Sequence, residues 1–370
     1  MKVGLVLDTT LDSNAGVQQY FKGLASYLLK KSHDVKFITP PSGNVRQFKG
    51  RILSFGRKIV LKGNANTIST VFFTNTKKVK ETINKEHFDI IHVAAPFSPF
   101  LGAKVIRLVK CPVVITYMIY GKSWIYRFLG LMLKIYQNKV YKRVKFHIAL
   151  SEPSKKEAMI TIPGKYQVIP AGINVKLFFN NIKKIDKFGG KKINVLFLGR
   201  LEKRKGIDYL IKAFSIVYKR FSKIRLIIVG NGPERSKLKN LVKKLKLKNV
   251  YFEGYVSEYM KRSYLKTADI CVFPALYGES FGIVLIESMI SGKPTLAFKN
   301  EGYKYVLRNI PELLVECKNV NKLADKMFIF CKDKKLREEY GMKCLKEAKN
   351  YSWDLIGKKI ESIYENLLST

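Results

Sequence analysis

Short apolar runs alternating with amphipathic stretches recur along nearly the whole chain, and this alternation limits the fold more than any other feature. Val3-Gly4-Leu5-Val6-Leu7 suits a strand buried on both faces. Ala15-Gly16-Val17-Gln18 then opens a helix with Tyr20, Leu24, Leu28 and Leu29 along one side, and Val35-Lys36-Phe37-Ile38 is the next strand. Further strands are predicted at Ile90-Ile91-His92-Val93, Val113-Val114-Ile115-Thr116 and Phe146-His147-Ile148-Ala149-Leu150. Strand, glycine loop, helix, strand is the order that builds a parallel sheet covered by helices. The fold class is α/β.

The pattern breaks after Ile169-Pro170-Ala171-Gly172, where a polar, Lys-rich stretch runs to Phe188-Gly189-Gly190-Lys191-Lys192. A second alternation follows. Strands are predicted at 193–198, 226–229, 250–252, 270–273 and 294–297, with helices near 206–220, 233–246 and 258–267 and another beginning at Gly282. A chain of 370 residues exceeds one ordinary core. The expected organisation is a Rossmann-like domain at 1–172, a linker at 173–192, a second Rossmann-like domain at 193–350 and a terminal segment at 351–370. Two such halves are expected to face each other across a cleft, with ligands outside the carboxyl ends of the strands.

The second half carries the chemistry. Leu196-Phe197-Leu198-Gly199-Arg200 ends a strand on a glycine and leads through Leu201-Glu202-Lys203-Arg204 to Lys205-Gly206. Further on, Glu279-Ser280-Phe281-Gly282-Ile283-Val284-Leu285-Ile286-Glu287 sets two carboxylates about a glycine and a helix start. Cleaving a sugar–diphosphate bond makes the leaving phosphate more negative as the anomeric carbon becomes cationic, so fixed positive charge is needed there beforehand. Arg200 suits bidentate phosphate recognition and Lys205 adds a point charge. The helix start at Gly282 offers backbone N–H groups to an anion, and carboxylates suit sugar hydroxyls. Each residue alone would read as an ordinary surface charge; their order and placement point to a nucleotide-sugar donor. Gly230-Asn231-Gly232-Pro233 is a weaker signal, equally a tight turn or a phosphate contact.

Charge bears on partners. Lys plus Arg number 69 against 28 Asp plus Glu, a formal net charge of +41. No acid occurs from Val35 to Lys80 or from Ile90 to Ser151. The Lys-, Ile- and Asn-rich composition hints at an AT-rich genome, which would raise Lys but does not explain the missing acids, and such a field attracts anionic partners. Lys77, Lys78 and Lys80 begin a predicted helix, and the stretch 122–145 mixes Trp124, Ile125 and Phe128 with Arg127 and Lys134 in the manner of an interfacial helix. These residues are candidate contacts to an anionic membrane surface. Nucleic acid is the rival partner, but no recognition motif or stacking platform is visible. The five cysteines are scattered and suit reduced thiols. Lys2 leads into a strand rather than an apolar leader, so a cytoplasmic setting is expected, peripheral at the inner face of the cell membrane.

The motifs resemble those of the retaining glycosyltransferases of family 4, which have the GT-B fold, and most of all their glycolipid-synthesising members, the phosphatidylinositol mannosyltransferases among them. The likeness spans Gly16-Val17-Gln18, Ile169-Pro170-Ala171-Gly172-Ile173-Asn174, Gly199-Arg200 with Lys205-Gly206, Phe252-Glu253-Gly254-Tyr255-Val256 and Glu279 to Glu287. Trp353 and the last helix resemble the segment that crosses back to the first domain. The resemblance implies that Arg200 and Lys205 bind the donor diphosphate and that Glu287 holds the ribose. Glu279 and the backbone of Phe281, Gly282 and Ile283 would contact the transferred sugar. Gly16 would approach the diphosphate from the first domain, and Gly199, Gly230 and Val256 complete the donor contacts. Arg200, Lys205 and Glu279 are the catalytic candidates. No metal or other cofactor is implied: the four His are scattered and no Asp-x-Asp precedes a strand end.

Departures from the family pattern fall in the first domain. Met118 stands where relatives carry a His, Ala94-Ala95-Pro96 where they often have a His and a Glu, and Ala15-Gly16 replaces a Gly-Gly pair. The expected activity is transfer of a hexose, mannose or glucose favoured, from a GDP- or UDP-sugar to a lipid or lipid-linked acceptor. The alternatives are a soluble or polysaccharide-precursor acceptor, or sugar-nucleotide binding without turnover.

Overall fold

The computed structural model describes residues 1–12, 15–43, 45–63, 66–120 and 138–369, with backbone alone for 46, 58–63 and 66–70. The chain divides into two compact units, Met1–Gly172 with Trp353–Thr370, and Ile173–Ser352.

In the first unit, β1 (Lys2–Val6), β2 (Asp34–Thr39), β3 (Ile52–Ser54), β6 (Ile90–Ala95), β7 (Val113–Tyr117), β8 (Val144–Ala149) and β9 (Tyr166–Val168) form one sheet. Its order is β3-β2-β1-β6-β7-β8-β9, and the pairs are parallel. Val3, Leu5 and Val6 are buried with every residue of β7, which is why these strands read as continuous apolar runs. The helices α1 (Gly16–Lys30), α2 (Thr76–Glu86), α3 (Gly102–Leu108) and α4 (Glu152–Thr161) lie between strands in sequence. An antiparallel hairpin of β4 (Arg57–Gly63) and β5 (Asn66–Phe72), which the sequence reading passed over, stands outside the sheet. Its β-branched residues, Ile59, Val60, Thr67, Ile68, Thr70 and Val71, were the available signal.

The helix Trp353–Ser369 joins this unit although it lies far along the chain. It buries Ile356, Ile360, Ile363 and Tyr364 on one stripe. Gly357 lets it approach α1, since a Cβ there would come within 2.5 Å of the Tyr27 ring. The Trp353 indole sits against Gly23 and Gly172, where added Cβ atoms would lie 2.1 and 2.4 Å away. Two polar contacts fix the register: Tyr27 Oη donates to Glu361 at 2.6 Å, and His92 Nδ1 lies 2.5 Å from Tyr364 Oη. Burial holds His92 near a pKa of about 3, so it stays neutral and structural.

In the second unit, β10 (Ile193–Leu198), β11 (Ile224–Val229), β12 (Val250–Gly254), β13 (Ile270–Phe273), β14 (Thr295–Phe298) and β15 (Leu314–Val315) pair in the order β12-β11-β10-β13-β14-β15, again parallel. A short helix, α5 (Lys176–Phe179), precedes them. The helices α6 (Ile207–Arg220), α7 (Arg235–Lys244), α8 (Glu258–Thr267), α9 (Ile283–Ile290), α10 (Glu301–Val306), α11 (Val320–Lys332) and α12 (Lys334–Lys349) complete the unit, leaving the Trp353–Ser369 helix as α13. Both sheets are doubly wound, with strand order reversing beside the first strand of each.

The stretch read as a linker, residues 173–192, falls within the second unit and is tied into it. Buried Arg225 donates to the carbonyls of Lys187 and Gly189 at 3.2 and 2.8 Å, and Asn194 Nδ2 donates to Phe188 O at 3.1 Å. The stretch is polar in composition, yet its backbone satisfies buried donors that have few other partners.

Candidate active site

Strand order in the second unit reverses at β10, between β11 and β13, the kind of position where doubly wound sheets bind ligands beyond the carboxyl ends of their strands. The loops leaving β10 and β13 carry Gly199 to Gly206 and Pro274 to Gly282. They are stitched together at Gly206, which takes φ +65° and ends the 3-10 turn Lys203–Lys205. A Cβ at Gly206 would stand 2.1 Å from Pro274 O, and Leu276 N donates to Arg204 O at 2.8 Å. The backbone thus brings Lys205 to Glu279 across a long sequence separation.

Four side chains meet at this junction and a fifth lies beside it. Lys205 Nζ and Arg204 Nη1 reach the same carboxylate oxygen, Glu279 Oε1, at 2.7 and 2.6 Å. Arg204 Nε also donates to Glu202 Oε2 at 2.9 Å, and Arg200 Nε lies 3.0 Å from Glu202 Oε1. The Glu202 side chain is fully buried, whereas that of Arg200 is half-exposed. Arg200, Glu202, Arg204, Glu279 and Lys205 therefore form a chain of alternating charge. Three cations against two carboxylates leave one net positive charge. Burial alone would lift the Glu279 carboxyl, but Lys205 and Arg204 outweigh it and hold it below the usual range. Burial likewise opposes the Arg204 charge, and Glu279 and Glu202 more than restore it.

Gly282 takes φ +110° and caps α9 without a side-chain hydrogen bond. A Cβ there would fall 2.7 Å from the Tyr303 ring, so packing as well as conformation demands glycine. Phe281 is buried edge-on to Tyr351, centroids 5.6 Å apart, and Ile283 begins α9 half-buried. One face of α9 carries Glu287 inward, where Lys261 Nζ on α8 meets its Oε1 at 2.5 Å and Glu258 Oε2 at 2.8 Å. Burial raises the Glu287 carboxyl above the usual range even beside this ammonium. Val256 lies half-buried between β12 and α8.

Gly199 leaves β10 at φ +150°. Gly230 has φ +135°, and a Cβ on it would stand 1.9 Å from Gly199 O; one on Gly232 would stand 2.5 Å from Leu201 O. Both glycines are thus explained by backbone packed on backbone, whatever else they contact. In the first unit, Gly16 is exposed at the start of α1, and Met118 is buried after β7 with its N–H on Ala95 O at 3.0 Å. Lys77, Lys78 and Lys80 are exposed on α2, whose apolar residues Val79 and Ile83 face inward. This is a solvated basic face without a free apolar stripe. Trp124 and Arg127 lie outside the described residues. Among the described residues no group of three His, Cys, Asp or Glu gathers as metal ligands, and no helix is long and apolar enough to cross a membrane.

Known proteins resemble this chain along most of its length. Residues 14–177 match the family model described as Glycosyltransferase Family 4, and residues 178–346 match Glycosyl transferases group 1. The chain is a family 4 glycosyltransferase with the GT-B fold. Relatives of this glycosyltransferase include the phosphatidyl-myo-inositol mannosyltransferase of Mycolicibacterium smegmatis, 28% identical over 99% of this chain and 94% of that one. The alpha-monoglucosyldiacylglycerol synthase of Streptococcus pneumoniae is 27% identical over 81% of this chain and 71% of its own length. Among solved structures, a glycosyltransferase from Rickettsia africae superposes with a TM-score of 0.78 at 18% identity, covering 99% of this chain and 98% of its own. Anabaena HepE in complex with UDP-glucose gives 0.75 at 17%, covering 99% and 100%.

Sequence reasoning gave the glycosyltransferase Arg200, Lys205, Glu279 and Glu287 but assigned no role to Arg204, Glu202 or Lys261. Alternating sign at 200, 202 and 204 was a signal for the first two. Lys261 pairs with a residue in another helix, which spacing could not reveal. Asp8 was also passed over. Its carboxylate accepts from Ser98 N at 2.5 Å and Gly102 N at 3.0 Å, and burial lifts its pKa to about 6.

Proposed function

We propose that this glycosyltransferase moves a hexose, mannose or glucose favoured, from GDP- or UDP-hexose to a lipid or lipid-linked acceptor, with retention and without a metal. The convergence of Arg200, Arg204, Lys205 and Glu279 at the end of β10 carries the reading. In it, Arg200 and Lys205 take the diphosphate, and charge that builds on the leaving phosphate meets cations already in place. Glu279, relieved of Lys205 by the incoming phosphate, accepts from sugar hydroxyls beside the Gly282 backbone. Glu287 accepts from the ribose. The leaving phosphate takes the acceptor's proton on the face it departs from, so no protein base is required.

The lipid acceptor is supported by the names of the mycobacterial and pneumococcal relatives. The basic face of α2 supports contact with an anionic leaflet at the cytoplasmic side, each Lys near it contributing about 1 kcal/mol. The test is transfer of radiolabelled hexose from GDP-mannose or UDP-glucose to phosphatidylinositol or diacylglycerol in vesicles, with the product anomer assigned by NMR. Transfer to lipid with the donor's anomeric configuration is expected. An inverted product, or transfer to soluble sugars alone, would refute it.

A further inference from the structure

Glu202 is a fully buried carboxylate for which the donor reading supplies no ligand. It ends the chain segment before the Lys203–Lys205 turn and lies between two arginines. Its contacts are unequal. Oε2 accepts from Arg204 Nε at 2.9 Å, while Oε1, 3.0 Å from Arg200 Nε, receives no aligned hydrogen bond. A carboxylate removed from water is costly unless paired, so its firm partner is Arg204. Arg204 is in turn fixed by Gly278 O at 3.2 Å and Glu279 Oε1 at 2.6 Å.

We propose that Glu202 is a positioning residue for the transfer reaction: it anchors Arg204, and Arg204 sets where Glu279 meets the transferred sugar. Arg200 is left loosely held and half-exposed, free to turn toward a phosphate. This rests on the donor reading above and adds a division of labour to it. The phosphate grip of Arg200 and Lys205 does not depend on Glu202, while placement of the sugar does.

The test uses the whole chain with Glu202→Gln, which keeps the shape but turns an NH2 group toward an arginine. Binding of UDP and GDP is measured by calorimetry, and kcat with whichever nucleotide sugar the unaltered protein uses. Nucleoside diphosphate affinity should stay within 3-fold, while kcat falls at least 30-fold. Glu202→Asp, which retains the charge, should recover kcat to within 5-fold of the unaltered protein. An unchanged kcat, or loss of diphosphate affinity in proportion to kcat, overturns the proposal, because general loosening moves both. Should Glu202→Gln fail to fold, Arg204→Lys, which reaches only one carboxylate, is held to the same split. An unaltered protein that binds neither UDP nor GDP overturns the donor reading and this inference together; intact binding without the split overturns the inference alone.

Discussion

Lys205 Nζ lies 2.7 Å from Glu279 Oε1, so the ammonium proposed to meet a donor phosphate already holds an anion of the protein's own. Glu279 acts as a resident counter-ion. On the proposed reading, a diphosphate competes with it for Lys205 and in doing so leaves part of the carboxylate available to another donor.

On the proposed reading, Lys205→Ala removes fixed charge where the leaving group becomes anionic. Turnover should fall at least about 100-fold, the scale seen when one preorganised donor is deleted. Steady-state kinetics with the accepted nucleotide sugar checks this. Rates within a few-fold of normal would remove Lys205 from the reaction.

Glu287→Ala should act on binding rather than on chemistry. It strips a buried carboxylate that bonds Lys261 and is proposed to hold the ribose. Calorimetry should report nucleoside diphosphate affinity down about 10-fold or more, on the order of the 1.5–3 kcal/mol carried by a charge-assisted hydrogen bond. Unaltered affinity would move the ribose elsewhere.

The Glu279 carboxyl is held below the usual range by Lys205 and Arg204 against burial. Its pairing therefore contributes stability fully above the ordinary carboxylate value of about 4.3, and that contribution is lost as pH falls further, through the folded pKa. The Tm gap between the unaltered protein and Lys205→Ala should be largest near neutrality and close below about pH 4. A gap that widens in acid would contradict the pairing.

Gly23→Ala would drive a methyl group to 2.1 Å from the Trp353 indole nitrogen. Overpacking of this kind costs about 1–3 kcal/mol, enough to lower Tm by several degrees. Differential scanning calorimetry should show it. A neutral result would mean that α13 can slide on α1.

The doubly wound halves were legible because buried parallel strands are uniformly apolar, and residues such as Val113 to Tyr117 declare themselves. Places beside strand ends and a helix start singled out Arg200, Lys205 and Glu279, which the structure joins in one chain of charges. What the sequence withheld was pairing. Glu287 meets Lys261 across two helices, and Arg204 joins Glu202 to Glu279 only because Gly206 brings two loops together. At 173–192 composition did not show that a polar stretch supplies carbonyls to buried Arg225. At α2 it showed the lysines but not that Val79 and Ile83 turn inward.

Because α13 completes the first unit, residues 1–172 are synthesised well before the helix that finishes their unit. Synthesis of residues 173–352 intervenes, on the order of ten seconds or more at ~5–20 residues per second. Through that interval Tyr20, Phe21 and His92, which later contact Trp353 or Tyr364 directly or through one another, lack the helix that covers them. The nascent first unit waits with an uncovered apolar flank, a natural point for chaperones to attend or for aggregation to begin.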